Sequence, residues 1–192
     1  MSISRFSPGI WLLCSLLVID IGVHSNCAPQ AGSRALIARR FILTDKSGKP
    51  RARLECGKSG DPRFQFLNSQ GITLMNLGLK GDSPDLTLAG TDGKPRLTIL
   101  SEAAGSSGIL LYDSHSIPRA IIRIRPDGSA LLSLHDSDGT ARADLDTLPD
   151  GSPGLTLSNK EQKGGAALIV APSGNPGIVF KNRDGKLIWA AP

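Results

Sequence analysis

Four arginines occupy one slot of a recurring pattern. Arg51, Arg96, Arg119 and Arg142 each stand immediately before an apolar residue that is followed, two positions on, by a second. If that stretch is extended, the arginines share the polar side and form a ladder. A row of guanidinium forks is a contact surface for anions or acidic glycans, since each fork presents planar donors to carboxylate, sulfate or phosphate. The same residues also suit a plain solvated face, where arginine stems cover their neighbours and the charges keep strands from aggregating.

Other residue types offer less. Asp136-Ser137-Asp138-Gly139 has the acids of a calcium loop, but calcium takes six to eight oxygens and a calcium loop normally ends in a glutamate. Asp45, Asp113 and Asp136 fall where a turn already calls for aspartate. Gly57-Lys58-Ser59 has the ending of a phosphate loop, yet Ala52 stands where the first glycine is required. His115 and His135 lie at different points of the repeat, one in a turn and one on a strand, with no repeating acid or cysteine beside them. There is no Gly-x-Ser-x-Gly and no His-Glu-x-x-His. No catalytic residue, metal or cofactor is therefore expected, and a hydrolase on a β-barrel stands only as an alternative. Cys27 and Cys56 could close one disulfide in an oxidising compartment; otherwise Cys56 is a small core residue and Cys27 is free or modified.

The elements that must carry these residues repeat about every 23 positions. The first apolar pair of each unit is Phe41/Leu43, Phe64/Phe66, Leu86/Leu88, Ile109/Leu111, Leu132/Leu134, Leu155/Leu157 and Ile178/Phe180. The second is Ala52/Leu54, Met75/Leu77, Leu97/Ile99, Ala120/Ile122, Ala143/Leu145, Ala166/Leu168 and Trp189/Ala191. Period two marks a strand with one apolar face. Between the pairs lies a turn whose glycine is Gly48, Gly71, Gly93, Gly139 or Gly185, replaced by Ser116 and Gln162 in units four and six. Asp92-Gly93, Asp138-Gly139 and Asp184-Gly185 suggest two-residue type I′ loops. Centring on them sets Leu134 against Ala143, Leu88 against Leu97 and Phe180 against Trp189. The segments joining units, such as Pro126-Asp127-Gly128, read as looser turns.

The expected product is an all-β domain of seven hairpin repeats over residues 40–192, about fourteen strands in all. Such a sheet has one wholly apolar face, so an antiparallel meander closed as a barrel or sandwich is expected, with a β-solenoid as the alternative. Aromatic residues make up only 4% of the chain and the +5 charge is spread along it, which argues against nucleic acid as a partner.

The first residues differ in kind. Arg5 precedes the apolar run Gly9–Val23, too short for a spanning helix and of the length of a secretory signal. Residues 1–25 are expected to be a signal peptide, or else an anchor in contact with a membrane, followed by a linker over 26–39. This implies export to the periplasm, cell surface or exterior. The unit LSLHDSDGTARADL, Leu132–Leu145, resembles the tandem β-repeats of exported bacterial proteins, over about four fifths of the chain. That resemblance implies an exported, repetitive protein and carries over no activity. The expected function is a non-enzymatic structural or interaction protein of the envelope or exterior, binding a protein or glycan partner through a repeated surface, with homo-oligomers open. A glycan- or anion-binding module on the arginine ladder is the alternative.

Overall fold

A computed structural model describes residues 36–192. The expected signal or anchor, Cys27 and residues 26–35 of the expected linker lie outside the described residues.

Fourteen strands follow one another without a helix: β1 (Arg40–Thr44), β2 (Pro50–Cys56), β3 (Pro62–Leu67), β4 (Thr73–Lys80), β5 (Ser83–Ala89), β6 (Pro95–Ser101), β7 (Ser107–Tyr112), β8 (Pro118–Ile124), β9 (Ala130–His135), β10 (Ala141–Thr147), β11 (Pro153–Ser158), β12 (Gly165–Val170), β13 (Pro176–Lys181) and β14 (Leu187–Ala191). Each pairs antiparallel with its sequence neighbours alone, giving one sheet in the order β1 to β14. The all-β meander is as expected; its closure is not. β1 and β14 are free edges, and no second layer, barrel or solenoid coil forms among the described residues. The connections explain this. Being short, they keep each strand beside its sequence neighbour and exclude a second layer, which needs a corner or a long crossover; a meander can close as a barrel only by pairing its first and last strands, and β1 and β14 do not pair.

Eleven of the thirteen connections have one form, in which residue i donates its N–H to the carbonyl of i+4 and receives on its own carbonyl the N–H of i+3. At β9–β10, Asp136 N meets Thr140 O at 2.9 Å and Gly139 N meets Asp136 O at 3.0 Å. Only the third loop residue is left-handed, as Gly139 is with φ 81°. This is a type I turn followed by a left-handed bulge residue, not the expected type I′ loop. Five of the six unit-joining turns, such as Arg125–Ser129, take the same tight form, and the sixth, at β4–β5, is a two-residue turn between the paired Lys80 and Ser83, so none is looser. The expected register still holds, because a one-residue register shift just past the three-residue loop, between Ala141 and Ala143 at β9–β10, brings the same partners opposite: Leu134 with Ala143, Leu132 with Leu145, Leu88 with Leu97 and Phe180 with Trp189.

Register carried from strand to strand lines the apolar pairs into two rows that cross the sheet. One row runs from Phe41 through Leu54, Phe64 and Leu77 to Ile178 and Ala191; the other runs from Leu43 through Ala52, Phe66 and Met75 to Phe180 and Trp189. All twenty-eight positions are apolar, so one face is apolar from end to end. With nothing over it the sheet has almost no core: Ala52 and Leu67 are the buried apolar residues among those described. Cross-strand side-chain contact along the rows and the backbone ladder are what hold the strands together. Phe64 and Phe66 meet edge to face at 4.7 Å, and Phe180 packs on Trp189 at 5.5 Å.

Candidate functional site

Two surfaces result, and they differ in chemistry. On the polar face, the arginines expected to form a ladder do share one flank of the sheet, on β2, β6, β8 and β10. Three of them are built into a repeated device. In their units, the aspartate that opens the intra-unit turn uses one carboxylate oxygen to cap the loop: Asp136 Oδ1 accepts from Asp138 N at 3.0 Å and Thr140 N at 3.1 Å. Its other oxygen meets the arginine six residues on, Arg142 Nη1 to Asp136 Oδ2 at 3.3 Å. The same arginine then donates Nε to the last carbonyl before the next intra-unit turn, Ser158 O, at 2.7 Å. Asp113, Arg119 and His135 O repeat the arrangement, as do Asp45, Arg51 and Leu67 O. In unit three Gly90 stands at the aspartate slot, and Arg96 turns to Asp92 Oδ2 at 2.9 Å instead.

These carboxylates titrate below the ordinary aspartate range. In Asp136 partial burial pushes the pKa upward, but the Thr140 and Asp138 amides and the Arg142 guanidinium outweigh it. In Asp45 the Ser47 hydroxyl leads the lowering. The opening aspartates thus stay ionised, with their oxygens committed to the turn and to arginine.

One cluster escaped the sequence reading. Ser133 Oγ lies 2.9 Å from His135 Nε2 and donates to Asp144 Oδ1, while His135 Nδ1 sits 2.9 Å from Gly139 O. The register test already contained part of it: setting Leu134 against Ala143 sets Ser133 against Asp144 on the other face. Serine, histidine and acid together invite comparison with a nucleophilic triad. The order is wrong for one. The hydroxyl lies between imidazole and carboxylate, so the acid takes the serine proton and does not orient the base. Ser133 is also 3% exposed, which shields it from a substrate. The cluster pins β9 to β10. Further along the same face Gln65, Asn76 and Asp85 form a polar chain from β3 to β5. His115 stays in its turn, its N–H donated to Asp113 Oδ1 at 2.8 Å. Cys56 is exposed at the end of β2, unpaired among the described residues.

The apolar face is the second surface. Nineteen of its twenty-eight side chains are exposed, from Ile109 at 36% to Leu43 at 65%. A soluble monomer's largest apolar patch is usually about 300–600 Å². At about 80 Å² for each half-exposed large side chain, this face offers roughly 1,500 Å² in one strip. With strands about 4.8 Å apart, the strip is about 60 Å long. Its composition was legible in the sequence, and its exposure was not, because closure was expected to cover it.

No protein-family model and no curated protein matches the chain. Among solved structures it is similar to the TCP domain of SAS-4 (dCPAP) from Drosophila melanogaster, in complex with a proline-rich motif of Ana2 (dSTIL). There the identity is 12% and the TM-score 0.37, over 83% of this chain and 96% of that one. It is similar also to the TCP10 domain of CPAP from Danio rerio, at 16% identity and TM-score 0.21, over 78% of this chain and 93% of that one. Likeness at this level extends to no partner or activity. The exported location expected above is not carried further: the solved structures similar to the chain are TCP domains, and neither is described as an exported envelope protein.

Proposed function

We propose that the chain is a non-enzymatic protein-interaction module whose working surface is the apolar face of its sheet. One observation carries this reading: two uninterrupted apolar rows cross all fourteen strands, and nothing in the chain's described residues covers them. Exposing so much apolar surface to water is costly, and a partner that covers it gains that free energy on binding. The polar face does not compete as a site. Its recurring aspartates and arginines are taken up by each other and by turn amides, and its one serine–histidine–acid cluster is closed on itself. Repetition adds a further property, since each strand offers an equivalent step and weak contacts sum along the strip.

The test places a photo-crosslinking residue at Leu77 or Leu145 on the apolar face, and at Thr87 or Thr156 on the other, in cells that make the protein. Polypeptide adducts from Leu77 and Leu145 alone are expected. Adducts from neither face, or equally from both, would sink the proposal.

A further inference from the structure

The apolar strip carries information about its occupant. Resting on the interaction reading above, we infer that the strip is covered by a second copy of this chain, packed apolar face to apolar face into a two-layer sheet. Three observations point that way.

The first is period. Each strand contributes the same two-residue step, spaced at the strand separation of about 4.8 Å, so a surface able to keep step along the whole strip must have that repeat itself. A copy of this sheet has it.

The second is relief. In the row nearer the Asp-Gly turns, small and large residues alternate from strand to strand: Ala120, Leu134, Ala143, Leu157, Ala166 and Phe180 on β8 to β13. Notches therefore recur every second strand, with a large side chain between each pair. Sliding a facing copy by one strand drops its large residues into these notches, which is how sheet layers interdigitate at about 10 Å spacing.

The third is charge and area. Neither apolar row contains a charged residue, and the flank beside the unit-joining turns is uncharged as well, as at Cys56, Pro62, Leu79 and Pro84. Facing copies would bury no ion, while all of the arginines and acids described above stay outside in water. Two faces of roughly 1,500 Å² remove about 3,000 Å² from solvent, inside the range of obligate homodimers and above a standard interface.

Light scattering on the eluting full-length protein tests this. Twice the 20.2 kDa chain mass is expected. Ile122→Lys with Leu134→Lys on the apolar face should reduce it to a single chain, with strand amides still protected from hydrogen exchange to show an intact sheet. Thr156→Lys on the other face should leave it unchanged. So should Ile42→Pro with Ile188→Pro, which block pairing at the edge strands β1 and β14. A doubled mass that survives the lysines and is lost with the edge prolines overturns the inference. A single-chain mass for the unaltered protein overturns it too. If Leu77 and Leu145 then still crosslink to another polypeptide, the interaction reading stands; if no position crosslinks, both fail.

Discussion

Ser116 occupies the left-handed bulge position that glycine fills in all ten other loops of its form, and it does so at φ 66°. Its N–H still closes the turn on Asp113 O at 3.1 Å, so the hairpin forms as the others do. A side chain bearing a Cβ in this region costs about 1–2 kcal/mol. Replacing it by glycine recovers that cost and adds back the greater freedom of glycine in the unfolded chain, about 0.5–1 kcal/mol. The balance for Ser116→Gly is a gain of about 0.5–1 kcal/mol. The reciprocal change belongs at Gly48, at φ 79°, where an added Cβ would meet nothing within 4 Å. Gly48→Ala therefore isolates the conformational cost and should lose about 1 kcal/mol. Each strand touches only its neighbours, so both effects should be local. Native-state hydrogen exchange of the Asp113, Ser116 and Ile117 amides reads the first, and of the Asp45 and Gly48 amides the second, alongside urea midpoints. If Ser116→Gly weakens protection, or Gly48→Ala leaves it unchanged, the assignment of strain to these positions is wrong.

The arginine device gives a second expectation. Arg142→Lys keeps the charge but cannot hold Asp136 and the Ser158 carbonyl together, so it should cost about 1 kcal/mol, nearly as much as Arg142→Ala, in urea unfolding. An acid titration gives a third. Asp45, Asp92, Asp113, Asp127, Asp136 and Asp150 all have pKa values lowered in the folded chain, so their stabilisation is complete above the unfolded value. Stability should hold down to about pH 5 and fall as the pH drops through about 4 and below. Asp136→Asn keeps the loop acceptor and should make that fall shallower; an unchanged acid profile would contradict the sign. A fourth concerns Gly165, where an added Cβ would run into the Leu157 carbonyl across the β11–β12 pair. Gly165→Ala should cost about 2 kcal/mol and open the exchange of that pair selectively.

Strand existence, order of pairing and register were all legible because a two-residue apolar step and a glycine-marked turn recur along the chain and agree with one another. Leu134 against Ala143 follows from spacing alone. The turn type did not follow, since Asp138-Gly139 suits a two-residue type I′ loop and also the last two positions of a three-residue loop with a bulge. Both give the same partners, so register could not choose between them. Closure was misread for a physical reason: an apolar strand face looks the same whether a barrel, a second layer or another chain covers it. The serine–histidine–acid cluster was hidden because its members follow no repeat, although Ser133 against Asp144 was implied by their apolar neighbours.

The pairing of residue types across units bears on how a sheet without a core keeps its shape. Where the turn opens with aspartate, at Asp45, Asp113 and Asp136, the residue six on is Arg51, Arg119 or Arg142. Where it opens with asparagine, at Asn68, Asn159 and Asn182, the residue six on is Leu74, Gly165 or Ile188, with no charge to offer. Asparagine caps its loop equally well, as Asn182 Oδ1 does for Asp184 N and Lys186 N at 3.0 Å. The loop alone therefore does not require an acid. What the acid adds is a charge for the arginine, and what the arginine adds is a bond to the following intra-unit hairpin. The pair thus acts between hairpins and not within one. In β8 to β10 two such devices stand in succession, from Asp113 through Arg119 to His135 O, then from Asp136 through Arg142 to Ser158 O. They lock neighbouring units from the polar side at the place where one apolar row alternates small and large. A strip meant to interdigitate with another surface has to hold its spacing without support from beneath, and this is where the polar face supplies it.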